Sequence, residues 1–110
     1  MRPHTLSWVL IFVSVLAEVL GTIALRYATG FTVLAPSLAA AFCYAAAIWL
    51  MSLALHHLEL GLTYAVWAGS GVALTAIVGV IWFDESITGL RVLGLVLIVV
   101  GVISLHTGAR

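Results

Sequence analysis

The chain has no lysine, one cysteine and two prolines among 110 residues. Only 7% of its residues are charged, against about 25% in an ordinary soluble domain. Each shortage excludes something. Cys43 lies alone in an apolar run, so no internal disulfide and no cysteine-rich metal site can form. A formal net charge of zero leaves no basic surface for nucleic acid. No Gly-rich phosphate loop or nucleotide motif is present. Serines and threonines are scattered, and no histidine sits in the middle of an apolar run, so no nucleophile–base pair stands out. The adjacent His56 and His57 do not face one point on a helix, which makes them poor metal ligands. Neither an enzyme nor a cofactor-bearing protein is expected.

What is abundant is hydrophobic, 65% of the chain. That composition marks an all-α integral membrane protein with a single small domain over residues 1–110. A spanning helix needs about 20 mainly apolar residues. Four such runs are present, at about 7–27, 34–55, 61–83 and 90–106. The links between them, ATGFT, HHLE and DESITG, are short and polar. Pro36 sits where a helix start tolerates it. The opening Met1-Arg2 resembles a signal peptide, but Glu18 within the first apolar run argues against cleavage.

Arginine usage bears on orientation. Arg2 and Arg110 fall on one side of a four-span chain, Arg26 and Arg91 on the other. The usual orienting excess is nearly absent. Insertion both ways round and a single orientation set by one arginine both remain open.

Glu18 is the only formal charge in the run Ser7 to Leu25. A carboxylate at the centre of a spanning helix costs about 2.5–3.5 kcal/mol on insertion scales. Such a group faces a protein interior or a wet cavity, and an acid there is a functional site by default. Four helices enclose little space, and one chain offers Glu18 no cationic partner. A dimer would join two copies around one cavity, where bound cations or shared protons become the partners. With dual insertion the copies are antiparallel, an inverted repeat made from two chains.

Helical spacing groups Ser14, Gly21, Thr22 and Leu25 with Glu18. Small residues there suit tight packing or a lined cavity. In the third run Tyr64, Trp67, Ala68 and Gly71 share a face. An aromatic wall beside a carboxylate suits an organic cation; the alternative is bulky packing whose polar atoms bond across helices. Gly69 and Gly71 soften this helix and mark a possible hinge. In the second run Tyr44 shares a face with Ala47, Ile48 and Met51, and its hydroxyl is a candidate to bond Glu18. Gly94 and Gly101, seven apart, suggest close helix contact along a dimer seam.

AEVLGT around Glu18, GF at Gly30-Phe31, PS at Pro36-Ser37 and YAVWAGSG from Tyr64 resemble the small multidrug resistance family. The resemblance runs from about Trp8 to Ser104; order and spacing make it specific, although each fragment alone is weak. It implies four helices, an antiparallel homodimer in the bacterial inner membrane, and proton-coupled export of cations. Glu18 is then the shared proton and substrate site. Tyr44, Tyr64 and Trp67 line the cavity, with Ala17, Gly21 and Thr22 beside the carboxylate, and Gly94 and Gly101 form the dimer contact. The family's guanidinium exporters usually carry a tryptophan three residues after the glutamate; here that residue is Gly21. Ala17 and Tyr44 also resemble the polyaromatic-cation exporters. Ala47 and Ile48 depart from them, standing where a hydroxyl and an aromatic are frequent, and Arg26 replaces a frequent lysine. The resemblance therefore implies a multidrug exporter of quaternary-ammonium cations. The alternatives are a guanidinium or polyamine exporter, a heterodimer, and a membrane assembly subunit that transports nothing.

Overall fold

The computed structural model describes residues 3–108, with the side chain of Pro3 left aside. Four helices follow one another: α1 (Pro3–Ala28), α2 (Leu34–Ala54), α3 (Leu60–Trp82) and α4 (Gly89–Gly108). Each is long and apolar enough to cross a membrane. Helix α1 starts four residues before the Ser7 expected from hydropathy, because Pro3 and the polar residues after it fit a first helical turn. Arg2 and Arg110, half of the arginine count, lie outside the described residues. The chain divides into two compact units, one holding α1 and α2, the other α3 and α4.

In the first unit, hydrogen bonds fix one antiparallel register from end to end. His4 donates from Nε2 to the His57 carbonyl at 3.1 Å, and the Ser14 hydroxyl donates to the Ala47 carbonyl at 2.6 Å. The Val33 amide donates to the Ala28 carbonyl at 3.1 Å. Along this register the small buried residues recur every seventh position. Ser7, Ser14, Gly21 and Ala28 do so on α1, and Ala40, Ala47 and Ala54 on α2. Lipid tails are as apolar as leucine, so helices gain little by hiding leucine from them. Close backbone approach is what small side chains contribute instead. The register places Ser7 opposite Ala54 and Gly21 opposite Ala40, which makes a continuous seam of small residues.

The turn between these helices places Thr29, Gly30 and Phe31 in succession at φ of 48°, 66° and 65°. That left-handed region costs roughly 1–2 kcal/mol for a residue with a Cβ. The Ala28 carbonyl partly offsets the cost by accepting from the amides of Thr32 and Val33, and the Thr32 hydroxyl donates to the Thr29 carbonyl at 2.7 Å.

The second unit is built differently. Helix α3 runs unbroken through Gly69 and Gly71. A Cβ on Gly69 would lie 2.7 Å from Cγ2 of Val102 and 3.5 Å from Cγ2 of Ile98, so α4 packs closely on α3 there. The link is also ordered. Asp84 takes φ of 54°, and the amides of Phe83 and Glu85 both return to the Gly79 carbonyl. The Glu85 carboxylate occupies the place a Cβ on Gly79 would take. Thr88 caps α4, its hydroxyl oxygen accepting from the Arg91 amide at 3.2 Å. No residue of α4 is buried.

Candidate functional site around Glu18

Glu18 lies in the middle of α1, next to the buried Val19, and is itself partly buried. Its Oε2 is buried and has no hydrogen-bond partner among the described residues. A buried polar atom without a partner is costly, and a carboxylate oxygen more so than most.

One turn further on, the Thr22 hydroxyl donates to the Glu18 backbone carbonyl at 3.0 Å. Thr22 Oγ1 also lies 2.6 Å from the Tyr44 hydroxyl. A threonine hydroxyl has one hydrogen, so while it serves the Glu18 carbonyl the Tyr44 hydroxyl is the donor to Oγ1. The chain of bonds runs from Tyr44 through Thr22 to the backbone of Glu18. This corrects the expectation that Tyr44 bonds Glu18 itself: its hydroxyl is held by Thr22, and the carboxylate is left without it.

Gly21 makes that arrangement possible. A Cβ there would lie 3.1 Å from Cβ of Cys43 and 3.4 Å from Cδ2 of the Tyr44 ring. The ring thus packs against α1 beside Gly21, in space that a side chain larger than a methyl would claim. Ser14 and Ala47 meet through their hydrogen bond within the helix seam and are both fully buried. Ala17 is partly buried, whereas Ile48 is 63% exposed.

The aromatic residues of α3 belong to the second unit. The Tyr64 and Trp67 rings are 5.9 Å apart between centroids and tilted by 32°. Tyr64 is 55% exposed, so one ring of the pair has an open face. Ala68 is partly buried and Gly71 buried. Gly94 and Gly101 meet open space on exposed α4.

Two features escaped the sequence argument. The seven-residue recurrence of small residues was available in the sequence, but its weight becomes plain only with the register. Thr63 had no signal. It is fully buried, and its Oγ1 has no hydrogen-bond partner among the described residues, one turn before Trp67. No group of three potential metal ligands occurs among the described residues.

A carboxylate inside a spanning helix, in a chain of four such helices, defines a small multi-pass membrane protein with an ionisable group within a span. Residues 6–98 match the family described as Small Multidrug Resistance protein. The chain is 35% identical to the quaternary ammonium compound-resistance protein QacC of Staphylococcus aureus, over 92% of this chain and 94% of that one. It is 39% identical to the guanidinium exporter of Proteus vulgaris, over 91% and 96%. It is 33% identical to the multidrug resistance protein EbrA of Bacillus atrophaeus, over 91% and 95%. The chain belongs to the small multidrug resistance family. It is a transporter and not an enzyme, a multi-pass protein of the bacterial inner membrane.

Proposed function

We propose that the protein exports small organic cations in exchange for protons, with both competing for Glu18. The observation that carries this reading is the unpartnered carboxylate oxygen in the middle of α1. Nothing among the described residues neutralises that oxygen, so either a proton or a cation must do so, and each excludes the other. Ala17 and Thr22 lie beside it on α1, and Gly21 seats the Tyr44 ring one turn along; Tyr64, Trp67 and Ala68 are, within their own helix pair, aromatic and apolar residues suited to a lipophilic cation. Ile48, 63% exposed, is the lining position on α2, whereas Ser14 and Ala47 are closed in the seam between α1 and α2 and support the site from behind.

The two helix pairs act as one transporter domain. Two chains associate as an antiparallel homodimer, with Gly94 and Gly101 on exposed α4 at the contact. Rocking of the pair alternates access to a fixed site, as in other inverted-repeat transporters. Gly69 and Gly71 are the positions at which α3 bends during that motion.

The substrate class is quaternary-ammonium and other hydrophobic cations. The seating of Tyr44 supports this: a large residue three positions after Glu18 would collide with Cys43 and the Tyr44 ring. A second reading, guanidinium export, is favoured by the 39% identity to a relative so named. A panel separates the two. Proteoliposomes should give proton-coupled currents with tetraphenylphosphonium and tetraalkylammonium ions and little with guanidinium; the reverse pattern selects the second reading. Glu18→Gln should abolish every such current while preserving helix content. If it instead only weakens the dimer, and no cation moves protons through the wild type, the protein is an assembly subunit.

A further inference from the structure

The second unit contains a groove that transport leaves unused. It has a volume of about 230 Å³ and lies between the end of α3, the link and the start of α4. Ala76, Ile77, Val80 and Ile81 form one wall, and Val92 and Leu95 the other. Glu85, Ser86 and Arg91 line it at the link. Because Ala76 lies six residues before the end of α3, the groove reaches about 9 Å down the helix from the polar link. It therefore begins where lipid headgroups lie and descends into hydrocarbon.

The charges at its mouth are fixed. Arg91 donates from Nη1 to the Ser86 carbonyl at 2.8 Å, which pins a guanidinium that has five N–H donors in all. The first turn of α4 adds the partial positive charge of its unpaired amides. Opposite in sign is Glu85, whose carboxylate is folded onto Gly79 at the same end. A bare anion would meet repulsion from Glu85, and a bare cation repulsion from Arg91. A headgroup carrying both signs matches both.

We infer that this groove is a binding site for a phospholipid with a phosphoethanolamine headgroup. The phosphate pairs with Arg91, the primary ammonium donates to Glu85, and the upper part of one acyl chain fills the apolar groove. The guanidinium fork suits a phosphate better than a point charge does. At about 100° per residue Val92 lies roughly opposite Gly94 on α4, whereas Arg91 is about 60° from it. The proposed dimer contact therefore borders the groove at Arg91 but leaves the Val92 wall clear, and the inference does not depend on the transported substrate.

The test uses the purified full-length protein and native mass spectrometry with phosphatidylethanolamine, phosphatidylglycerol and phosphatidylcholine. The wild type should retain phosphatidylethanolamine about tenfold more than phosphatidylcholine, which lacks N–H donors. Arg91→Gln should cut that retention about tenfold, as should Ala76→Phe, which fills the groove. Glu85→Gln should narrow the preference over phosphatidylcholine. Free glycerophosphoethanolamine should not compete, because it has no chain for the groove. Wild-type retention by Arg91→Gln overturns the proposal, and this variant decides the matter if Ala76→Phe fails to fold. A change in dimer dissociation at unchanged lipid retention also overturns it, and assigns the groove to a second copy of the chain.

Discussion

The two helix pairs solve the same packing problem in different ways. Helices α1 and α2 meet along their whole length through small residues every seventh position, with a hydrogen bond at each end and one in the middle. Helices α3 and α4 have a close approach at Gly69 and a tied link at Gly79, and α4 buries nothing. The difference teaches where rigidity is needed. The pair that carries Glu18 is the continuous one. An unpaired carboxylate costs free energy, and a firm seam holds it in place where a loose pair would let it turn to water. The pair that presents apolar surface along α4 is free to lend it to lipid or to another copy.

The comparison can be broken at its tightest points. The largest effect is expected at Gly69. Gly69→Leu puts atoms where Val102 and Ile98 already lie, so α4 must move off α3. Overpacking of this kind costs roughly 1–3 kcal/mol and occasionally more. Thermal melting in detergent should fall well below that of the wild type, and cysteine cross-linking between α3 and α4 should slow. Cross-linking between α1 and α2 should stay as it was.

A smaller loss is expected from Gly21→Ala in the first pair. The added methyl lies 3.1 Å from Cβ of Cys43, which cannot swing away without its backbone. The cost is at the lower end of the overpacking range, about 1 kcal/mol. The more telling readout is Tyr44. The methyl meets the ring at an ordinary 3.4 Å, so the ring moves only with the shift forced on the neighbouring Cys43, and its ultraviolet absorption should shift slightly. An unchanged tyrosine spectrum would mean that Gly21 does not seat the ring.

The smallest effect belongs to Ser14→Ala. It deletes the hydroxyl bonded to the Ala47 carbonyl, and the seam keeps its shape. Hydrogen bonds between membrane helices average about 0.6 kcal/mol in double-mutant cycles. Melting should drop only slightly. A loss as large as that of Gly69→Leu would show that the seam depends on its polar bonds more than on close backbone approach.

The four spans were legible in the sequence because hydropathy reports the solvent directly, and lipid tolerates few polar residues. Glu18 stood out for the same reason. Faces were legible too: the spacing that groups Ser14 with Glu18 is real. What spacing cannot supply is register between helices. Without it, the Tyr44 hydroxyl was a candidate partner for Glu18, whereas the antiparallel pairing sets it against Thr22 one turn away. Ser14 shows the same limit, since the spacing that puts it one turn before Glu18 also puts it in the seam with α2. Helix α1 starts four residues before its apolar run does, because polar residues can be helical without being apolar. Thr63 is a single hydroxyl in an apolar helix, and nothing in its neighbours distinguishes it from the threonines that merely bond their own backbone.

Cation binding should release protons, because one carboxylate serves both. Titration calorimetry of tetraphenylphosphonium binding, repeated in two buffers of different ionisation enthalpy, measures that release directly. Over a pH range in which Glu18 is partly protonated, the account predicts proton release on binding, and affinity that weakens up to about tenfold per unit fall in pH for each proton displaced. Glu18→Gln should show neither. Binding with no proton release at any pH, or undiminished proton-driven uptake by the Gln variant, would contradict it.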